Sequence, residues 1–304
     1  MIRTKAGAAG LSIASNALLI ALKLVAGAIT GSIAILTEAI HSSIDLIASV
    51  IAFVSVRKAD EPPDPEHPYG HERMENLAAA IEGMLIIVGA GIIVYEATRR
   101  LVVGAEVDDL GVGIAVIGFS IVANVGVSAF LSRRARALGS PALEGDAAHL
   151  RADALTSVGV LAGLVLIEIT GEPAFDAIAA LAVAVAIVVS GIRILSRSGR
   201  VLVDQAPPAD ELDRIEAAIA FERGHHPEVA GYHKLRARSG GSHVYIDFHL
   251  QFHKGVTLER AHALAHEVRG AIEATIPNSE VLIHVEPEES LLPPEVSRGP
   301  YRAG

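Results

Sequence analysis

Two five-residue segments carry the same pair of metal-binding side chains at the same spacing. His41-Ser42-Ser43-Ile44-Asp45 sets an imidazole and a carboxylate four positions apart, and His149-Leu150-Arg151-Ala152-Asp153 repeats the arrangement. On a helix, residues i and i+4 lie one turn apart on one face, so two such helices can offer two imidazoles and two carboxylates to a shared point. That set closes a tetrahedral shell around zinc, and the aspartates offset the charge of the dication. The chain contains no cysteine, which excludes thiolate ligation and disulfides and leaves imidazole and carboxylate to hold any metal. A catalytic zinc keeps one position open for water. A shell filled by four side chains suits binding and release instead, and its ligands exchange metal for protons.

A second group lies in Asp64-Pro65-Glu66-His67-Pro68-Tyr69-Gly70-His71, where Asp64, His67 and His71 share a compact loop of Pro and Gly. His67 and His71, with the two motif residues His41 and His149, are the four histidines of the first two hundred positions.

The elements that carry the motifs are apolar and long. Six runs, residues 8–29, 33–56, 77–101, 110–131, 143–169 and 175–195, each approach the ~20 residues needed to cross a bilayer. The mean hydropathy of +0.44 agrees with a membrane domain rather than a soluble enzyme. The first motif falls in the second run and the second motif in the fifth. Paired motifs of this kind could be hydrogen-bonding links between helices. Their duplication favours function, because ionisable groups within spans are functional by default. Glu38 and Glu82, near the same spans, read as accessory or cavity-facing acids.

Six crossings place both termini on one side. Arg3, Lys5, Arg57, Lys58, Arg73, Arg133, Arg134, Arg136, Arg197 and Arg200 fall on that side, against Arg99 and Arg100 opposite, so the termini are expected in the cytosol. The first run is too long for a signal-peptide core and reads as a retained helix. A formal net charge of -10 argues against a nucleic-acid partner.

Beyond Val203 the composition changes, and Pro207-Pro208 marks a break. The expected domains are a six-helix transmembrane unit over 1–204, a soluble unit over 205–290 and a loose tail over 291–304. In the soluble unit, helices are expected over 209–222 and 258–276, and strands over 232–238, 243–253 and 280–286. This is an αββαβ module of the ferredoxin or metallochaperone type, with its helices on one sheet face. Alternation turns Val244, Ile246, Phe248, Leu250 and Phe252 toward the helices and His249 away from them. His284 and Glu286 share the outer face of the last strand, and His233 lies on a neighbouring strand. A metal cluster on that face is expected, with His225, His226, His243, His253 and His266 as ordinary surface residues.

Six spans, paired HxxxD motifs, the DxxHxxxH loop and the αββαβ module together resemble the cation diffusion facilitator family, bacterial zinc/proton antiporters in particular, over nearly the whole chain. The resemblance implies a transporter, not an enzyme, that exports zinc from the cytosol across the inner (plasma) membrane in exchange for protons. It also implies a homodimer in the lipid bilayer. The family's transport site maps onto His41, Asp45, His149 and Asp153. Many relatives carry aspartate in place of His41, and the histidine form is associated with zinc. The loop site maps onto Asp64, His67 and His71. A cytosolic binuclear zinc site maps onto His233, His249, His262 and His284, with Glu286 where aspartate is common. Arg73 and Asp204 resemble the pair that helps hold the family's dimer, with Arg in place of Lys. Iron, manganese, cobalt or nickel as cargo, and a membrane zinc enzyme or sensor that moves nothing, are the other readings.

Overall fold

The structure is a computed structural model that describes residues 4–30, 33–103, 111–170 and 174–288. The side chains of Glu38 and His41 and the expected tail over 291–304 lie outside the described residues. The chain divides into two compact units, Met1–Gly199 and Arg200–Gly304.

The first unit is helical. Its elements are α1 (Lys5–Thr30), α2 (Ile33–Ala59), α3 (Arg73–Val103), α4 (Gly111–Leu138), α5 (Pro141–Thr170) and α6 (Ala174–Leu202). Three contacts gather the starts of α1, α3 and α5 at one end, called here the near end. Lys5 Nζ lies 2.6 Å from Glu75 Oε1, and Ser140 Oγ donates to the same carboxylate. Ser140 Oγ also accepts from Leu143 N at 3.3 Å, capping α5 just before Pro141. The end of α6 joins them through Arg197 Nη1 and Glu144 Oε2 at 2.7 Å. Val56, Ala78 and Ala142 form a small apolar layer there, with Ala6 and Ile51 packed against it.

The polarity of this unit is inverted relative to a soluble bundle. Ser12, Asn16, Ser49, Ser120 and Asn124 are buried, whereas Val25, Ile47, Val88, Val122 and Val185 are exposed. Apolar side chains outward and polar ones inward suit hydrocarbon surroundings, where polar groups find partners between helices. By length and composition, Lys5–Ala26, Arg73–Arg99 and Ala177–Leu202 qualify as crossing segments.

Glycine lets α3 and α6 approach closely. A Cβ at Gly83 would sit 3.0 Å from Leu195 N, and one at Gly191 would sit 3.0 Å from Gly83 O, so a larger residue at either position forces the backbones apart.

The second unit runs α7 (Ala209–His225), β1 (Val229–Ser239), β2 (Val244–Phe252), α8 (Leu258–Thr275) and β3 (Ser279–Pro287), an αββαβ order. The sheet order is β1-β2-β3, with β1 antiparallel and β3 parallel to β2. A parallel neighbour requires a crossover, which α8 supplies. Thr257 caps α8, its side chain accepting from Arg260 N, and Asp210 and Glu211 occupy the first turn of α7, where the helix dipole favours negative charge. Ile246, Phe248, Leu250 and Phe252 meet Ile215 and Ile219 of α7 and Leu264, Val268 and Ile272 of α8 in one core.

Phe248 is 1% exposed at the centre of this core. Phe248→Ala is expected to destabilise the soluble unit by about 3–5 kcal/mol. The check is hydrogen exchange of β2 amides in the full chain; unchanged protection would contradict the assignment of Phe248 as a core residue.

Candidate metal centres

Within the first unit, α2 and α5 pack so that His149 Nε2 lies 3.2 Å from Asp45 Oδ1. Asp45, His149 and Asp153 each present a ligand atom within 4.8 Å of the other two. Both Asp45 and His149 are buried, and His149 Nδ1 is enclosed with no hydrogen-bond partner. An imidazole and two carboxylates converging in an enclosed space form an N/O donor set suited to a divalent transition metal. The helical spacing positions His41 one turn from Asp45 on α2. A cavity of about 270 Å³ opens onto this cluster, lined by Asp45, His149 and Asp153 together with Lys23, Asn124 and Thr156. Its lining from α1 and α3 starts at Asn16 and Leu85, well past the near end of each helix, so the cavity lies toward the opposite end of the bundle.

Of the two readings of Glu82, accessory or cavity-facing, the structure does not support the second. Glu82 does not face the cavity; it is fully enclosed between α3 and α5, against Gly145.

In the loop before α3, Asp64 Oδ1 accepts from Glu66 N at 2.9 Å and His67 N at 2.6 Å, a local turn typical of aspartate. Gly70 follows with φ +79°, a left-handed conformation that glycine adopts freely. The turn brings His67 Nδ1 to 3.1 Å from Asp64 Oδ1 and His71 Nε2 to 3.2 Å from Asp64 Oδ2. The two imidazole rings lie 4.5 Å apart. Partial burial would raise the Asp64 carboxyl, but the N–H groups of His67 and Glu66 outweigh it and hold the group below its ordinary value.

On the sheet of the second unit, strand register places three imidazoles in a row. His233 pairs with His249 across β1 and β2, and His249 with His284 across β2 and β3. Ring centroids are 5.0 Å and 4.6 Å apart along the row. Two residues beyond His284 on the same face, Glu286 accepts from a ring N–H of His233, from His249 Nδ1 at 2.9 Å and from Gln251 Nε2 at 3.0 Å. His233, His249 and Glu286 converge as potential ligands, and His233 Nδ1 is buried without a hydrogen-bond partner. Two imidazoles converging with a carboxylate form a nitrogen and oxygen donor set that fits a bound zinc. Lys234, at φ +52° beside a register shift, marks a bulge next to His233.

His284 stands at the rim of this group, with Nε2 3.9 Å from Glu286 Oε2. His262 is not part of it: it is exposed on α8, edge-on to His266 with ring centroids 4.6 Å apart. His226, expected as a plain surface residue, lies 3.3 Å from Glu222 and 3.1 Å from Glu267, tying α7 to α8. The one-turn spacing of Glu222 and His226 was its signal in the sequence. Asp204 Oδ1 accepts from Arg238 Nη1 at 2.9 Å within the second unit.

Comparison with known proteins adds independent findings. The cation efflux transmembrane domain family matches residues 10–203, and the cytoplasmic domain of cation efflux proteins matches residues 207–288. Uncharacterized transporter sll1263 of Synechocystis sp. is 34% identical over 280 residues, covering 92% of this chain and 89% of its own. Cation-efflux pump FieF of Salmonella arizonae is 31% identical over 291 residues, covering 94% and 95%. The zinc form of CzrB, among solved structures, aligns with 30% of this chain and 99% of its own at 29% identity, with a TM-score of 0.28.

The Glu286 environment gives a pH prediction for the metal-free protein. Burial raises its carboxyl, but hydrogen bonds from His249, Gln251 and His233 prevail and hold it below the ordinary glutamate value. A lowered folded value contributes stability that is present above the unfolded value of about 4.3 and lost as pH falls through the folded one. Thermal unfolding of the soluble unit should therefore fall in that acid window, and Glu286→Gln should remove that part of the fall. Identical acid profiles would contradict it.

Proposed function

This chain belongs to the cation diffusion facilitator family, and on that premise we propose that it exports zinc from the cytosol in exchange for protons. As a member of the family it is a cation efflux transporter of the membrane rather than an enzyme. The observation that carries the zinc reading is the convergence of Asp45, His149 and Asp153 between α2 and α5, with His41 one turn from Asp45. In this reading His41, Asp45, His149 and Asp153 hold the cargo. Two imidazoles and two carboxylates leave the site close to neutral once a dication is bound, which lowers the cost of holding it at membrane depth.

Each ligand must be deprotonated to bind, so metal and protons compete for the same groups, and a proton gradient can drive release. All six helices of the first unit cross the bilayer of the inner membrane, with both termini in the cytosol, as the distribution of basic residues indicates. Asp64, His67 and His71 form a cytosolic loop site. His233, His249, His284 and Glu286 hold regulatory zinc in the αββαβ unit, which has the ferredoxin-like form and helps join a homodimer; the match of this region to the family's cytoplasmic domain supports that role. The proposed division assigns 1–204 to the membrane and 205–290 to the cytosol.

Asp153→Ala removes one ligand and one compensating charge. Zinc flux in proteoliposomes should fall by about 100-fold or more, beyond the 10–100-fold typical of groups that only orient ligands, while the protein stays folded and dimeric. Full flux in this variant would remove Asp153 from the site.

Selectivity provides a second test. Imidazole favours zinc, cobalt and nickel over harder cations, whereas an Asp3His shell is more anionic and adapts to larger ions. His41→Asp should raise the cadmium-to-zinc ratio of initial flux at matched protein density and admit manganese. An unchanged ratio would mean that His41 does not set selectivity.

A further inference from the structure

The polar interior of the helical unit contains a second acidic group that the metal cluster does not use. Glu82 on α3 is fully buried, and neither of its carboxylate oxygens has a hydrogen-bond partner. Its carboxyl group lies against Gly145 of α5, where any side chain would collide with it. The next residue is Asp146, also fully buried, whose charge acts on Glu82. Asp146 Oδ1 accepts from Ser12 Oγ at 3.1 Å and Ser49 Oγ at 2.9 Å, while Oδ2 has no partner. Asn16 Nδ2 donates to Ser49 Oγ at 2.9 Å and completes the network.

The groups facing these acids are thus the hydroxyls of α1 and α2 and, one turn along α5, His149. Among the described residues no lysine or arginine pairs with either carboxyl: Lys5 goes to Glu75 and Lys23 donates to Ser42. Two anions enclosed together without a cation repel each other and lack the solvation that water would give. A single proton removes one charge, as in other carboxyl pairs that share one proton.

We propose that Glu82 and Asp146 form a proton-binding site that holds the near end of the bundle closed. The proposal rests on the reading of this chain as a metal/proton exchanger and adds a proton site separate from the metal ligands. Asp146, His149 and Asp153 stand at i, i+3 and i+7 on α5, so they share a helix face, with Asp146 about 4.5 Å nearer the near end than His149. The cavity beside the metal cluster lies toward the opposite end of the bundle and includes neither Glu82 nor Asp146 in its lining. The two acids therefore occupy the layer that separates the cluster from the near-end solution. Opening that end must draw α1, α2 and α3 away from α5 and admit water. The hydrated Glu82 then gives its proton to that water and becomes a carboxylate, and reclosure requires the proton back.

The test uses full-length, zinc-free protein in lipid at roughly neutral pH, well above the ordinary carboxyl range near about 4. Infrared difference spectroscopy should show a protonated carboxylic carbonyl band that disappears on alkalinisation and in Glu82→Gln. Absence of the band from the wild type, or its persistence in both Glu82→Gln and Asp146→Asn, overturns the proposal; the wild-type titration needs no variant to fold. Zinc binding to Glu82→Gln should stay within about twofold of wild type. Its zinc flux should lose the rise with near-side pH expected of wild type, and retention of the wild-type profile also overturns the proposal. A wild type that displays the band and yet moves no zinc supports the proton site and refutes the transport reading instead.

Discussion

A dication within a membrane domain needs counter-charge and ligands from the protein, and in the proposed reading the approach of His149 to Asp45 across α2 and α5 meets that demand. The 3.2 Å contact is possible only if both helices bring their ionisable faces inward at the same depth. Much of the first unit serves this alignment. Ser140 and Pro141 start α5 at the near end, where the Lys5, Glu75 and Ser140 cluster ties α1 and α3 to the same level. The serine and asparagine side chains between α1 and α2 link those helices one layer deeper. With the polar groups turned inside, the outer surface is left to valine, isoleucine and leucine.

The soluble unit solves a different problem with register. Its imidazoles come from three strands and would be scattered by a slip of one residue, which turns every side chain to the opposite sheet face. The packing of Ile246, Phe248 and Leu250 against α7 and α8 prevents that slip, so the core on one face aligns the histidines on the other. The loop site depends on neither device. It is held by Asp64 acting at once as turn former and as partner of two imidazoles.

Periodicity made much of this arrangement legible. The HxxxD spacing placed Asp45, His149 and Asp153 on inward faces because four residues make one helical turn wherever the helix sits. Alternation in β2 placed His249 opposite the core for the same kind of reason, and the helices and strands of the soluble unit lie within a few residues of their expected limits. Long-range packing was not legible. Glu82 read as an accessory or cavity-facing acid, and its enclosure depends on a glycine in another helix leaving room at one point. His226 gave a one-turn signal with Glu222, yet its second partner, Glu267, comes from α8 and depends on how two helices dock.

The central claim is that metal leaves the cytosol through the α2 and α5 site against a counterflow of protons. It is tested most directly with purified protein in sealed proteoliposomes under imposed pH gradients, recording zinc and internal pH together. The account predicts that zinc moves toward the acidic compartment, that protons move the opposite way, and that reversing the gradient reverses both. Zinc flux of the same size and direction with the gradient present, absent or reversed would contradict it.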